Sequence, residues 1–391
     1  MQLRKRKNPM HTLNTLIADA KNFNQPSESV IEVQRVLQIC NACRYCEGFC
    51  ATFQSMTRRL DFNVADVHFM ANLCHNCGAC LHACQYAPPN EFGVNIPQAM
   101  AKVRLETYQT YAWPKQLGSI YQKNGLALTM LTSIAIILFL LSLQTSSTGL
   151  FNSNTDANFY AIFPHNSLAM IFGSVFLLMA LALTLGVRGF WRQVSTDPMM
   201  LGAAKDATHD MLTLKNLGGG HQQGCNEADD AFSLWRKRFH HMTFYGFLLC
   251  FAATSVATLF HYFLGWEAPY SYTSLPVILG TVGGLGLILG PIGLLYLNLN
   301  RHPLHGDAAQ KPMDIGFIAS LLAISVSGLA LLALRHSSLM GILLCIHLGF
   351  VMGFFLMMPY GKFAHGIFRS AALLKNAIEV RMGKSVSVGS D

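Results

Sequence analysis

The chain has 391 residues, of which 52% are apolar and only 12% charged, with a formal net charge of +8. A soluble domain carries about a quarter charged residues, and half that share cannot cover a water-facing surface of this size. A wholly soluble enzyme, a disordered chain and a collagen-like fibre are excluded. Residues 1–112 hold 11 of the 28 Lys and Arg, so the chain reads as a polar N-terminal domain followed by a membrane domain.

Residues 1–39 read as helical in patches, with Ile17, Val30, Ile31, Val33, Val36, Leu37 and Ile39 on an apolar face. A cysteine-rich region runs on to residue 84. Pro88, Pro89 and Pro97 break regular structure, residues 98–111 predict a short helix, and Trp113 and Pro114 mark the approach to the membrane. Six apolar stretches follow near 125–143, 167–187, 241–264, 276–298, 314–335 and 339–359. Each is close to the roughly 20 residues that cross a ~30 Å hydrocarbon core. The fourth carries Gly280, Gly283, Gly284, Gly286, Gly290, Gly293 and Pro291; in a membrane, small residues permit close helix packing.

With six spans the termini share a side. Connections on that side carry Arg188, Arg192, Lys205, Lys215, Arg236, Lys237, Arg238, Arg301 and Lys311, whereas 144–166, 265–275 and 336–338 hold no Lys or Arg, although Arg335 borders the last. Positive charge stays cytoplasmic. The expected fold class is an all-α polytopic membrane protein, a six-helix transmembrane bundle with an N-terminal ferredoxin-like dicluster domain. The expected division is a cytoplasmic cluster domain at 1–112, a membrane domain at 113–365 with a cytoplasmic loop at 188–240, and a cytoplasmic tail at 366–391. Arg4, Lys5, Arg6 and Lys7 are followed by no apolar signal region, so the cysteines are expected in the reducing cytoplasm, where clustered thiols mean metal or redox chemistry.

Cys40, Cys43, Cys46 and Cys50 form C-x2-C-x2-C-x3-C, and Cys74, Cys77, Cys80 and Cys84 repeat it. Three thiolates two residues apart wrap three corners of one cubane, and the fourth reaches the other cluster. The expected grouping is Cys40, Cys43 and Cys46 with Cys84, and Cys74, Cys77 and Cys80 with Cys50, each holding one [4Fe–4S] cluster. Structural zinc would use four ligands as two separated pairs. Bacterial ferredoxins place Pro after the fourth cysteine, where Ala51 and Gln85 stand here. His75 and His82 fall inside the second run, with supporting roles at most. Cys250 and Cys345 read as packing residues, and Cys225, after Gly218, Gly219, Gly220 and Gly224, as an incidental cysteine of a flexible loop.

Imidazole is the natural axial ligand of b-type haem, and histidines within spans are functional by default. The third and sixth spans run antiparallel, so His240 or His241 should lie level with His365 at the cytoplasmic side, and His261 near His347 toward the far side. One or two bis-histidine haems would then stack across the bilayer. His347 and His365 are 18 residues apart and share a helical face if the helix continues past Pro359. His302, His305 and His336 read as solvated loop residues.

The segments CNACRYCEGFC at 40–50, CHNCGACLHACQYAPP at 74–89, LGGGHQQGC at 217–225, RFHHMTFYGFLLCFAATSVATLFHY at 238–262 and PYGKFAHGIFR at 359–369 make the chain similar to tricarballylate utilization protein B, also called the citrate utilization protein B family. The last segment also resembles the haem-bearing C-terminal helix of nitrate reductase gamma subunits, which implies a ligand role for His365. The family resemblance implies a bacterial inner-membrane protein that reoxidises an FAD-containing tricarballylate dehydrogenase, the enzyme that converts tricarballylate to cis-aconitate. No nucleotide-binding glycine fingerprint is present, so flavin belongs to the partner. The expected path runs from flavin through two clusters and haem to quinone, with membrane lipid around the spans and no nucleic acid as a partner. The alternatives are a quinol-oxidising subunit that feeds a cytoplasmic reductase and a transporter with a regulatory iron–sulfur domain. A transporter would place charges or broken helices near the midplane, and charges within these spans are nearly absent.

Overall fold

The computed structural model describes residues 26–147, 158–219 and 222–384. The basic residues 4–7, Ile17, Gly220, the middle of the 144–166 connection and the last seven residues lie outside this range. The N-terminal region contains α1 (Glu28–Cys43), α2 (Ala51–Met56), α3 (Val64–Leu73), the single turn α4 (Ala79–His82) and α5 (Ile96–Thr110). Local chemistry sets their limits. The Ser27 hydroxyl accepts from the Val30 N–H to open α1, and Arg44, at φ 57°, closes it. Asn63 and Asp66 form a reciprocal capping box on α3. Asn95 caps α5, and Pro97 occupies its first turn, where the missing N–H costs nothing.

Six long apolar helices follow, each long enough to cross a membrane. They are α6 (Lys115–Ser147), α7 (His165–Val194), α9 (Trp235–Leu264), α10 (Leu275–Leu299), α11 (Lys311–Ala333) and α12 (Met340–Met357). Asn124, at φ −142°, interrupts α6 where the expected span begins. The short α8 (Leu201–Leu212) and a two-residue hairpin, β1 (Cys225–Asn226) with β2 (Phe232–Ser233), occupy the 188–240 loop. α9 and α10 form the most extensive helix pair, and the glycines explain it. A Cβ on Gly246 would lie 2.9 Å from the Gly283 carbonyl oxygen, and one on Gly283 would lie 2.8 Å from that of Gly246. The backbones touch, and no larger residue fits at either position.

Two expectations change here. α12 ends at Met357 and a new helix, α13 (Ala364–Arg381), starts beyond a turn, so His347 and His365 share no continuous helix face. Residues 366–381 are also part of the core instead of a tail. Phe368, Ala372, Leu373 and Ile378 are buried in one cluster with Leu37, Phe69 and Met100 of the N-terminal region and Phe190 of α7. Glu379, 3% exposed, takes ion pairs from Arg58, Arg59 and Lys375. The hydrophobic core therefore runs unbroken across residue 112, and α13 joins the cysteine region to the bundle.

Candidate metal centres

The eight run cysteines line two cavities. Cys40, Cys43, Cys46 and Cys84 surround the first, of about 270 Å³, together with Tyr45, Phe53 and Tyr86. Cys50, Cys74, Cys77 and Cys80 surround the second, which is narrower at about 20 Å³ and also meets His75 and Gly78. All eight are free thiols, and Cys43 is exposed. Burial first, and neighbouring thiols second, push Cys40, Cys46 and Cys50 up to about 12. Thiols raised in this way stay protonated at neutral pH, and a bound metal would supply the positive charge that ionises them. Among the described residues, no group of three His, Cys, Asp or Glu closes tightly enough to hold a single metal ion. Quartets spaced around a cavity suit a multi-iron cluster, whose own sulfides keep the thiolates apart.

The loop of the second run is held by arginines from four elements. Arg104 of α5 and Arg369 of α13 donate to the Cys74 carbonyl at 2.8 and 2.9 Å. Arg236 of α9 and Arg301, just after α10, donate to the Asn76 carbonyl at 2.9 and 2.6 Å. Arg236 also pairs with Glu227. Burial lowers Arg301 to about 9 and Arg369 to about 10, so both remain charged at neutral pH. Gly78, at φ +82°, turns the loop, and a Cβ there would lie 2.6 Å from the His305 ring.

Cys225 is buried in this wall. It lies against Cys77, which is held below its usual value chiefly by that contact, and the Leu217 carbonyl, 3.5 Å from the Cys225 sulfur, is the alternative acceptor for its single hydrogen. The hairpin fixes the contact, because the Asn226 N–H donates to the Cys77 carbonyl at 3.0 Å. His305 is fully buried, not solvated. Its Nε2 lies 2.7 Å from His82 Nε2, and His82 Nδ1 lies 2.5 Å from Asp230.

The bundle histidines divide by depth. His240 faces His365 with ring centroids 6.1 Å apart, whereas His241 turns toward Tyr245. The buried Nδ1 of His240 has no partner among the described residues. His365 Nδ1 bonds to the Lys362 carbonyl, which leaves its Nε2 lone pair available. His75 bonds likewise to the Leu73 carbonyl and lies beside this pair, under the second cavity. Burial, and then the Arg369 charge, hold His75 and His365 well below the usual imidazole value, in the neutral form that binds metal.

The expected far-side pairing of His261 with His347 is not formed. His261 stacks on His165 at 3.6 Å, beside Tyr160 and Tyr262, while His347 meets Ser327 at 3.1 Å and the Ile324 carbonyl at 3.2 Å. His165 opens α7 and His261 lies three residues from the end of α9, so both stand at the bundle's rim. His347 lies seven residues inside α12, about 10 Å in at ~1.5 Å per residue, against about 4.5 Å for His261.

The sequence reading missed Cys225, His165, His305 and the four arginines. Cys225 and Arg369 stood inside two of the resemblance segments, and their positions there were the available signal.

Comparison with known proteins completes this description. The profile described as Citrate utilization protein B matches residues 119–385, and that of the Citrate utilization protein B Fer4-like domain matches residues 33–110. The chain is 59% identical over 382 residues to Citrate utilization protein B of Escherichia coli, covering 98% of this chain and 100% of that one. The chain belongs to the citrate utilization protein B family. The Fer4-like region of this family member contains both cysteine runs, and the longer match takes in all six apolar helices and α13. No solved structure matches.

Proposed function

We infer that the chain is a membrane electron-transfer protein that reoxidises a cytoplasmic flavoprotein and passes the electrons to quinone. The observation that carries this reading is the pair of thiol quartets, one reaching the surface and the other backed by His75, His240 and His365. Cys40, Cys43, Cys46 and Cys84 would hold one [4Fe–4S] cluster, and Cys50, Cys74, Cys77 and Cys80 the other; bound there, the clusters supply one-electron chemistry at low potential. His240 and His365 would hold one b-type haem, with the Lys362 carbonyl orienting the second imidazole.

The protein's own residues supply the path. Exposed Tyr45, which lines the first quartet's cavity, and exposed Phe92, packed on the lining Tyr86, give it an accessible apolar rim for a partner. Arg236 turns inward to Glu227 and Asn76, so Lys237 and Arg238 remain as the outward charges beside it. The six apolar helices are proposed to cross the inner membrane, with the cysteine region and both termini on the cytoplasmic side. The partner is proposed to be the FAD-containing tricarballylate dehydrogenase, where flavin splits a hydride into single electrons.

The test supplies tricarballylate, the flavoprotein and quinone-containing membranes with and without this chain. Quinone reduction should require the chain and fall at least tenfold in Cys77→Ser. An equal rate without the chain overturns the reading.

A further inference from the structure

We propose that Arg104, Arg236, Arg301 and Arg369 make the second quartet the electron sink of the pair, so that an electron received at the exposed first quartet is drawn inward. This rests on the two-cluster reading above. The two sites differ in their surroundings far more than in their ligands. Four guanidinium groups, delivered by separate parts of the chain, converge on two carbonyls of one three-residue stretch, Cys74 and Asn76. Arg104 is 3% exposed. Glu227 offsets Arg236, but Arg104, Arg301 and Arg369 have no carboxylate partner among the described residues. Arg301 also keeps a buried Nε without an acceptor. Around the first quartet the contrast is plain. Its arginine contact is Arg44, part-exposed, which donates to the Asn41 carbonyl at 3.1 Å.

A cluster held by four thiolates is anionic and gains one further negative charge on reduction. Fixed buried cations stabilise that added charge, and they do so strongly where water is excluded. The transfer balances without any other reactant: the reduced first cluster loses one electron and returns to its oxidised form, the second gains it, and no proton or atom moves. The arginines thereby give direction to a pair of sites with the same ligand set.

The experiment is an EPR-monitored redox titration of the intact reconstituted protein. The first cluster's signal is identified as the one lost in Cys43→Ser. The second cluster should have the higher midpoint potential. Arg301→Gln should lower that potential alone, with at least a tenfold loss in the electron's preference for the second site, equivalent to about 59 mV, and Arg301→Lys should recover most of it. Arg301 is chosen because it bonds to neither the His240–His365 pair nor a cysteine. If Arg301→Gln fails to hold its second cluster, the potential order in the unaltered protein and the Arg369→Gln shift decide the matter. A second cluster at equal or lower potential, or a substitution that moves both clusters alike or neither, overturns the proposal. Fewer than two clusters in the unaltered protein would instead overturn the reading on which it rests.

Discussion

Cys50 and Cys84, the last thiols of the two runs, each face the cavity formed by the other run's first three thiols. That exchange makes a prediction which separates crossed from local ligation. Cys84→Ala should lose the same EPR signal as Cys43→Ser, and Cys50→Ala the same signal as Cys77→Ser, with iron falling from about eight to about four per chain. Loss of the signals in the opposite pairing would show that each run closes its own cluster. The histidines make a second test at this scale. His365→Ala should abolish the low-spin band in reduced-minus-oxidised spectra, while His241→Ala should keep it, because His241 faces Tyr245 and His240 faces His365. Spacing alone left His240 and His241 equivalent. Adjacent positions on a helix differ by about 100° in direction, and only the packing of α9 shows which one looks inward.

Helix pairs explain what the composition of single segments left open. A span rich in glycine and broken by Pro291 makes a poor isolated helix, yet Gly246, Gly283 and Gly290 are the residues that let α9 and α10 touch. Gly283→Leu would drive a branched side chain into the Gly246 carbonyl and the Cys250 thiol. It should cost about 1–3 kcal/mol, the usual penalty for overpacking, read as a lowered thermal midpoint in detergent. Gly173, which has open space around its missing Cβ, should accept alanine with no such loss. At α13 the corresponding weak point is Glu379. Its carboxylate answers Arg58, Arg59 and Lys375 at a site 3% exposed. Glu379→Gln leaves the buried Lys375 and the half-buried Arg58 without an ion-pair partner among the described residues, while Arg59 keeps Asp66; it should cost about 3–5 kcal/mol, measured by unfolding, with the cysteine region loosened from the bundle.

Across the whole molecule, periodic and compositional features were legible from sequence and long-range pairings were not. The six apolar helices begin and end within a few residues of the expected stretches, except where polar extensions such as Trp235–Phe239 continue a helix beyond its apolar part. The division of eight thiols between two cavities follows from spacing, because three thiols on one short loop cannot avoid sharing a cavity. The stacking of His165 on His261, the burial of His305 and the insertion of α13 have no such local cause. Each depends on which helices become neighbours, and His347 shows the consequence, since it lies about 6 Å deeper from its helix end than His261 does at ~1.5 Å per residue.

The orientation of the bundle is the largest consequence that can be tested directly. Arg335 is the cation nearest the connection between α11 and α12, and it stands against the positive-inside pattern unless it is sequestered. It is 7% exposed, donates to the Tyr270 carbonyl at 2.7 Å and lies 3.9 Å over the Tyr272 ring. It therefore ties the 265–274 connection to the end of α11 from within, where its charge is shielded by aromatic and carbonyl groups. The connections at the opposite end carry Lys205, Lys215 and Lys311 in addition to the arginine-rich wall of the second quartet. Reporter fusions after residue 270 should thus read as periplasmic, and fusions after residues 215 and 385 as cytoplasmic. A cytoplasmic signal at 270 would mean that α9 and α10 form a re-entrant pair and do not cross the membrane. Arg335→Ala should leave the fusion pattern unchanged but lower the thermal midpoint, since this arginine secures one end of the bundle and, on the proposed orientation, the cations at the other end set its direction.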